Sequence, residues 1–258
     1  MPFDIDAFNI EVETEIIGSN FFYFDEIEST NSYAMEEEEE LPNGTVILAE
    51  KQNNGRGRHN RKWYSLPEQN LTFSIVLKDK FVKTYPPLIG FVASLCVAQT
   101  IENLYQLKVN LKWPNDVLIN NKKIAGILLE SKFEANKIKK IVVGIGLNVN
   151  QKVFQGTYII PPTSIILELK AKDFINREKT LAEFLNLFEE KLLLMLKNPD
   201  DILNDWKLRC NLIGEKITLE NDDIELVGIF EDIDKDGSLI LRTKDKIEKI
   251  SYGELSIR

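Results

Sequence analysis

The densest run of chemistry-bearing side chains is Gln52-Asn53-Asn54-Gly55-Arg56-Gly57-Arg58-His59-Asn60-Arg61-Lys62-Trp63. Two glycines flanking an arginine let the backbone approach a ligand with no Cβ in the way. A guanidinium is a planar, permanently charged fork that matches phosphate or carboxylate. Arg56, Arg58 and Arg61 together with Trp63 therefore have the parts to grip a nucleotide, cations beside the α-phosphate and indole beside the base. An RNA-contacting loop or a solvated turn would use the same composition, so this run alone leaves three readings open.

A second cluster is Lys112-Trp113-Pro114-Asn115-Asp116, answered after a hairpin by Lys122-Lys123-Ile124-Ala125-Gly126. A cation beside an attacking carboxylate and an α-phosphate stabilises the charge of nucleotidyl transfer. A carboxylate in the same place can act as base toward an amine. The plain alternative is an exposed hairpin with charged tips. The third cluster, Gly144-Ile145-Gly146-Leu147-Asn148, pairs small residues that admit close approach with an amide able to orient phosphate or a Mg²⁺-bound water. The fourth, Ser29-Thr30-Asn31, suits a small polar head group such as a ureido ring and equally suits a helix cap.

Local patterning supplies the elements that would carry these residues. Phe21 to Ile27 alternates like a strand, and helix formers follow Ser29-Thr30-Asn31. The glutamates from Glu36 to Glu40 read as a solvated helix end. Strands are expected at 45–49 and 71–77, from Leu111 to a stop at Pro114, and at 117–119, 123–129 and 141–148, with a long polar loop over 51–70. Helices are expected at 87–107, 178–197 and 201–209. Short β segments dominate from about residue 211, with turns at Asn221-Asp222-Asp223 and Asp236-Gly237. The pattern predicts an α+β catalytic domain over 1–210 and an all-β module over 211–258.

Composition removes several function classes. The net charge of −9 disfavours a general nucleic-acid binder, which needs a basic surface. No apolar run in the sequence is read as approaching the roughly 20 residues that cross a bilayer. The acidic start, Met1-Pro2-Phe3-Asp4, lacks the basic and apolar regions of a signal peptide. His59 stands alone, and Cys96 and Cys210 form no CxxC, so neither a multi-histidine metal centre nor a zinc or disulfide framework is expected. A cytoplasmic, membrane-free protein is the resulting expectation.

Taken in order, Glu28-Ser29-Thr30-Asn31, Gln52 to Trp63, Lys112 to Asp116, Lys123 to Gly126 and Gly144 to Asn148 resemble the biotin–protein ligases, and the resemblance extends to the final Gly253-Glu254-Leu255-Ser256-Ile257-Arg258. It implies the fold shared with lipoate ligases and class II synthetases: a mixed sheet with helices, followed by a small SH3-like β-barrel. It also implies activation of biotin by Mg·ATP and transfer to a lysine of a biotin carboxyl carrier domain in a carboxylase or decarboxylase. By resemblance, Ser29, Thr30, Asn31, Gln52, Arg56, Gly57, Arg58 and Lys123 face biotin. Arg56, Arg58, Arg61, Trp63, Lys112, Asn115 and Asn148 face ATP, with Asn148 also near Mg²⁺. Lys123, Arg58 and Asp116 are the implied catalytic residues: Lys123 bridges carboxylate and phosphate, Arg58 retains the adenylate, and Asp116 lies near the acceptor amine. Asn60 departs from the glycine common in the family loop, and asparagine tolerates φ > 0. Some members carry an N-terminal DNA-binding domain. Here the biotin element arrives by residue 31, so no DNA-binding role is expected, and a homodimer is. A lipoate ligase and a non-catalytic nucleic-acid module are the rival readings.

Overall fold

The computed structural model of the protein describes residues 2–36, 41–83, 86–221 and 224–256. Glu37 to Glu40, Asp222, Asp223, Ile257 and Arg258, on which parts of the sequence reading fall, lie outside the described residues. A seven-stranded mixed sheet forms the body. It comprises β1 (Phe21–Ile27), β2 (Val46–Gln52), β3 (Leu71–Leu77), β4 (Asn110–Lys112), β5 (Asp116–Ile119), β6 (Lys122–Glu134) and β7 (Lys137–Leu147), in the order β1-β2-β3-β7-β6-β5-β4. Only β1 and β2 pair in parallel; the other neighbours are antiparallel.

The period-two alternation of β3 and β7 assigns a different job to each face of the sheet. Phe73, Ile75, Val143, Ile145 and Leu147 point into the main core. There α3 (Pro86–Tyr105) and α5 (Arg177–Lys197) pack, and Phe73 meets Phe184 edge-on at 5.2 Å. Ile47, Val76 and Val142 turn the other way, into a smaller cluster with Ala34 of α2 (Thr30–Glu36). Between those apolar positions the α2 face carries small residues. Ser74 is paired with Gly144, Thr72 with Gly146, and Gly146 with Gly126. A shallow floor on one face and a thick core on the other therefore come from the same two strands.

Two buried carboxylates tie remote segments to this body. Glu50 accepts a bidentate pair from Arg177 at 2.6 and 2.8 Å, together with the Phe3 amide, the Tyr23 hydroxyl and the Glu68 amide. Glu189 on α5 accepts the backbone amides of Glu15, Ile16 and Ile17. The short α1 (Ile5–Glu11), α4 (Ile165–Leu169) and α6 (Pro199–Arg209) complete the helical layer. Neither α1 nor α4 is in the sequence reading, because neither is long enough to display a helical period.

The membrane reading needs a correction. By length and composition α3, with 20 residues, would qualify to cross a bilayer, although Ser94, Gln99, Thr100 and Glu102 interrupt it. It is mostly buried beneath α5, α6 and the sheet, as a core helix is.

After α6 the chain forms a five-stranded antiparallel sheet of β8 (Lys216–Asn221), β9 (Ile224–Ile233), β10 (Leu239–Arg242), β11 (Ile247–Ile250) and β12 (Glu254–Ser256), in the order β11-β10-β9-β8-β12. This is the small SH3-like module the patterning and resemblance lead to expect. Phe230, Leu239 and Leu241 join the same apolar cluster as α3, and Trp113 Nε1 donates to the Gly237 carbonyl at 3.0 Å. β5 covers β6 only from Lys122 to Gly126, so beyond Gly126 the outer edge of β6 meets no strand among the described residues.

Candidate active site

A cleft of about 640 Å³ opens over the small-residue floor. Ser29, Thr30, Asn31, Gln52, Arg56, Gly57, Arg58, Arg61, Trp63, Lys112, Asn115, Asp116, Lys123 and Asn148 all line it. The structure thus brings together the residues that the resemblance assigns to biotin, ATP and catalysis, from five separate segments.

α2 presents Thr30 and Asn31 from its first turn, both buried. The Thr30 amide donates to Gln52 Oε1 at 2.8 Å. Ser74 Oγ lies 2.7 Å from Thr30 Oγ1 and 2.6 Å from Asn31 Oδ1. Ser74 has one proton and the amide oxygen can only accept, so Ser74 donates to Asn31. Asn31 Nδ2 then donates to Glu130 Oε2 at 2.8 Å. Both readings of Ser29-Thr30-Asn31 hold in part, since Ser29 Oγ accepts from the Ser32 amide as a cap while its neighbours face the cleft.

The glycines of Gly144-Ile145-Gly146 admit the chain's own side chains. A Cβ on Gly144 would lie 2.3 Å from Asn31 Oδ1, and one on Gly146 would lie 2.3 Å from the Trp63 indole. The close approach inferred from the sequence is genuine, and Asn31 and Trp63 make it. Trp63 Nε1 is buried without a hydrogen-bond partner.

Lys123 reaches the cleft through a register shift. Val117 pairs with Ala125 but Leu118 pairs with Lys123, so β6 carries one extra residue. Such a bulge reverses the alternation and re-aims a side chain. Lys123 consequently lies on the same face as Gly126, where an added Cβ would sit 3.1 Å from Lys123 Cε. Its Nζ lies 2.5 Å from Asp116 Oδ1 and 5.9 Å from the Trp63 ring centroid. Its backbone is clamped from the far side, the amide donating to Pro161 and the carbonyl accepting from Thr163. Lys112, paired with Asp116 in the β4–β5 hairpin, is buried.

The loop residues reach across the cleft. Arg56 Nη2 meets Glu130 Oε2 at 2.9 Å, while Arg58 donates to Asn115 Oδ1 at 3.4 Å and to the Gly253 carbonyl at 3.3 Å. The left-handed residue of this loop is His59, with φ of 54°, one position before Asn60, at which the sequence reading allowed a turn. Histidine is among the residues enriched in that region, so the turn closes without a glycine one position later.

Asn148 is fixed by its Nδ2, which donates to the Thr163 carbonyl at 2.9 Å, and its buried Oδ1 has no hydrogen-bond partner. One neutral oxygen suits a Mg²⁺ carried by phosphates, because that ion keeps several waters and needs few protein ligands. Among the described residues no group of three or more His, Cys, Asp or Glu could hold a metal on its own. Behind this wall Glu168 accepts from Thr163 and Asn120 and pairs with Lys122. Burial opposes its ionisation, but those bonds and the lysine together hold the carboxyl below the usual range.

Three contributors are absent from the sequence reading: Ser74, Glu130 and the segment Phe154 to Pro162; the C-terminal pair Gly253 and Leu255 lies in the stretch covered by the resemblance, but no site role was read from it. Ser74 had a legible signal, as a hydroxyl alternating with apolar residues in Leu71-Thr72-Phe73-Ser74-Ile75. The others are distant in sequence and carry no local pattern. In the rim segment, burial and the neighbouring Tyr64 push the Tyr158 phenol above its usual value.

Comparison with known proteins agrees with this geometry. Residues 23–148 match the Biotin/lipoate A/B protein ligase family, and residues 212–258 match the Biotin protein ligase C terminal domain. The chain is 30% identical to the bifunctional ligase/repressor BirA of Bacillus subtilis, over 95% of this chain and 76% of that protein. It is 32% identical to the biotin–[acetyl-CoA-carboxylase] ligase of Paracoccus denitrificans, over 83% of this chain and 91% of that one. The biotin protein ligase of Aquifex aeolicus, solved with biotin and ATP, superposes with a TM-score of 0.80 at 27% identity, over 93% of this chain and 99% of that one. A mixed sheet with this C-terminal module, this pocket and these relatives mean that the chain belongs to the biotin–protein ligase family.

Proposed function

We propose that the chain joins biotin to ATP as biotinyl-5′-AMP, releasing pyrophosphate, and passes the biotinyl group to a lysine of a biotin carboxyl carrier domain, releasing AMP. The carrying observation is the convergence on one cleft of an amide–hydroxyl set (buried Thr30 and Asn31 with half-buried Gln52), a lysine aimed by a β-bulge (Lys123) and loop guanidiniums (Arg56, Arg58). Thr30, Asn31 and Gln52 would bind the ureido ring, with Ser29 and Gly57 at its edges. Lys123 would hold the biotin carboxylate against the α-phosphate and stabilise the charge that develops there. Arg56, Arg58, Arg61, Lys112, Asn115 and Trp63 would bind the nucleotide. The loop would keep water from the mixed anhydride. Mg²⁺ would enter with the ATP phosphates and neutralise part of their charge; Asn148 Oδ1 is the protein oxygen that would meet it. Asp116, released from Lys123 when the ligand takes that cation, would accept a proton from the incoming amine.

Incubation with biotin and Mg·ATP, read by mass spectrometry for biotinyl-5′-AMP beside a lipoate control, tests this reading. Adenylate from lipoate alone would overturn the substrate, and none from either acid would overturn the activity.

Four further readings accompany it. The division into residues 1–210 and 211–258 is supported by the change from helix α6 to strands only. A homodimer is supported by the open outer edge of β6 beyond Gly126, which invites strand pairing; light scattering that gives a monomer with and without ligands would end that reading. A cytoplasmic location is supported by two buried, unpaired cysteines, and cell fractionation tests it. The charge of −9 supports a carrier protein rather than DNA as partner. DNA binding by this chain at moderate salt would contradict that.

A further inference from the structure

Glu130 does not line the cleft, yet it holds two residues that do. The alternation of β6 puts Gly126, Leu128 and Glu130 on the pocket face. One carboxylate oxygen, Oε2, accepts from Asn31 Nδ2 at 2.8 Å and from Arg56 Nη2 at 2.9 Å. Asn31 is buried on the rigid floor, whereas Arg56 is exposed on the loop. A single charge therefore spans the part of the site that stays put and the part that closes.

The amide of Asn31 has two ends, and both are specified. Ser74 gives its proton to Oδ1, and a carboxylate, which only accepts, draws Nδ2. Without Glu130, Nδ2 would keep only the Leu128 carbonyl at 3.4 Å, a weak bond. Arg56 would lose the charge-assisted bond that keeps its guanidinium beside the cleft.

We propose that Glu130 is a positioning residue: it fixes the orientation of the Asn31 amide toward the ligand and holds Arg56 at the cleft, coupling recognition of biotin's ring to the state of the loop. The identity of the ligand rests on the function proposed above; the hold on Arg56 does not.

The test compares Glu130→Gln and Glu130→Ala in the full chain. Its measurements are biotin titration calorimetry, the rate of biotinyl-5′-AMP loss and timed trypsin cleavage after Arg56 without ligand. In Glu130→Ala the biotin Kd rises about tenfold, the equivalent of one charge-assisted hydrogen bond, and both adenylate loss and ligand-free cleavage quicken several-fold. Glu130→Gln still offers Asn31 an oxygen, so biotin affinity returns to within about threefold of the parent. Without the charge, its loop readouts stay close to those of Glu130→Ala. That separation of affinity from loop behaviour is what a merely structural role would not produce. Unchanged ligand-free cleavage in both variants overturns the proposal, as does equal loss of every property in both with a lowered melting temperature. If the parent itself binds no biotin, the ligand reading fails, and cleavage still decides whether Glu130 holds Arg56.

Discussion

Each reactive side chain in the cleft is poised by a neighbour rather than exposed freely. Lys123 rests against Asp116 at 2.5 Å, so a carboxylate and phosphate bound by that cation would compete with Asp116 for it. Lys123→Ala removes the group placed to stabilise transition-state charge. Single-turnover adenylation should fall about 10²- to 10³-fold with the fold intact, the usual cost of one preorganised donor. Near-parental turnover would remove Lys123 from its role. Arg58 bridges the loop to Asn115 and to the Gly253 carbonyl, so Arg58→Gly should free the loop from both. Gel filtration of pre-formed biotinyl-5′-AMP should then show it leaving the variant faster, and labelling of bystander proteins should rise. A variant that retains its intermediate like the parent would argue against the loop as a retaining device.

At the scale of elements, the site depends on how closely α2 and the loop lie against β7. Gly144 and Gly146 are the contact points, and a methyl at either would fall 2.3 Å from a side chain of the site. Gly144→Ala must push Asn31 and the start of α2 outward, against the amide's bonds to Ser74 and Glu130. Biotin affinity should drop by about tenfold or more, the effect of one lost buried hydrogen bond, and β7 itself should remain, since alanine is tolerated in a strand. Titration calorimetry with circular dichroism separates these effects, and parental affinity would show that α2 can yield without consequence. Gly146→Ala should instead displace Trp63, visible as a change in tryptophan emission.

For the molecule as a whole, the Glu50–Arg177 pair fastens the N-terminal segment and α5 to the sheet. Burial resists ionisation of Glu50, but Arg177, Tyr23 and the Glu68 amide more than offset it and hold the carboxyl below its ordinary value of 4.5. A depressed folded-state pKa adds stability above the unfolded value and loses it as pH falls through the folded value. The pair therefore contributes fully at neutral pH and fades in the acid range below 4.5. Glu50→Gln removes the buried carboxylate that pairs with Arg177, a loss on the order of 3–5 kcal/mol at neutral pH. Thermal melts taken from neutral to acid should show the parent and Glu50→Gln converging. A gap that stays constant through the acid range would contradict the assignment.

Much of this was legible in the linear chain. Motif order carried the family, because Arg-Gly loops, a proline-stopped strand and a lysine-bearing hairpin are local patterns that survive without neighbours. Strands β1, β3 and β7 and helices α3, α5 and α6 were visible through their periods, since two faces or a buried stripe repeat over many residues. Short α1 and α4 were not, and neither was the membrane-like composition of α3, whose few polar residues mask an otherwise apolar helix. In the loop, the departure from the family glycine drew attention to Asn60, while the left-handed conformation falls on His59.

What the sequence determined by itself was therefore the chemistry: which residues carry charge, fork and amide, and in what order. Only the tertiary structure decided how they are held. The β-bulge that turns Lys123 onto the pocket face depends on the register between β5 and β6, while the glycines that admit Asn31 and Trp63 and the charge of Glu130 joining α2 to the loop depend on contacts between residues 74 or more positions apart. Such contacts leave no local period, because cross-strand pairing, not sequence neighbourhood, brings their partners within reach.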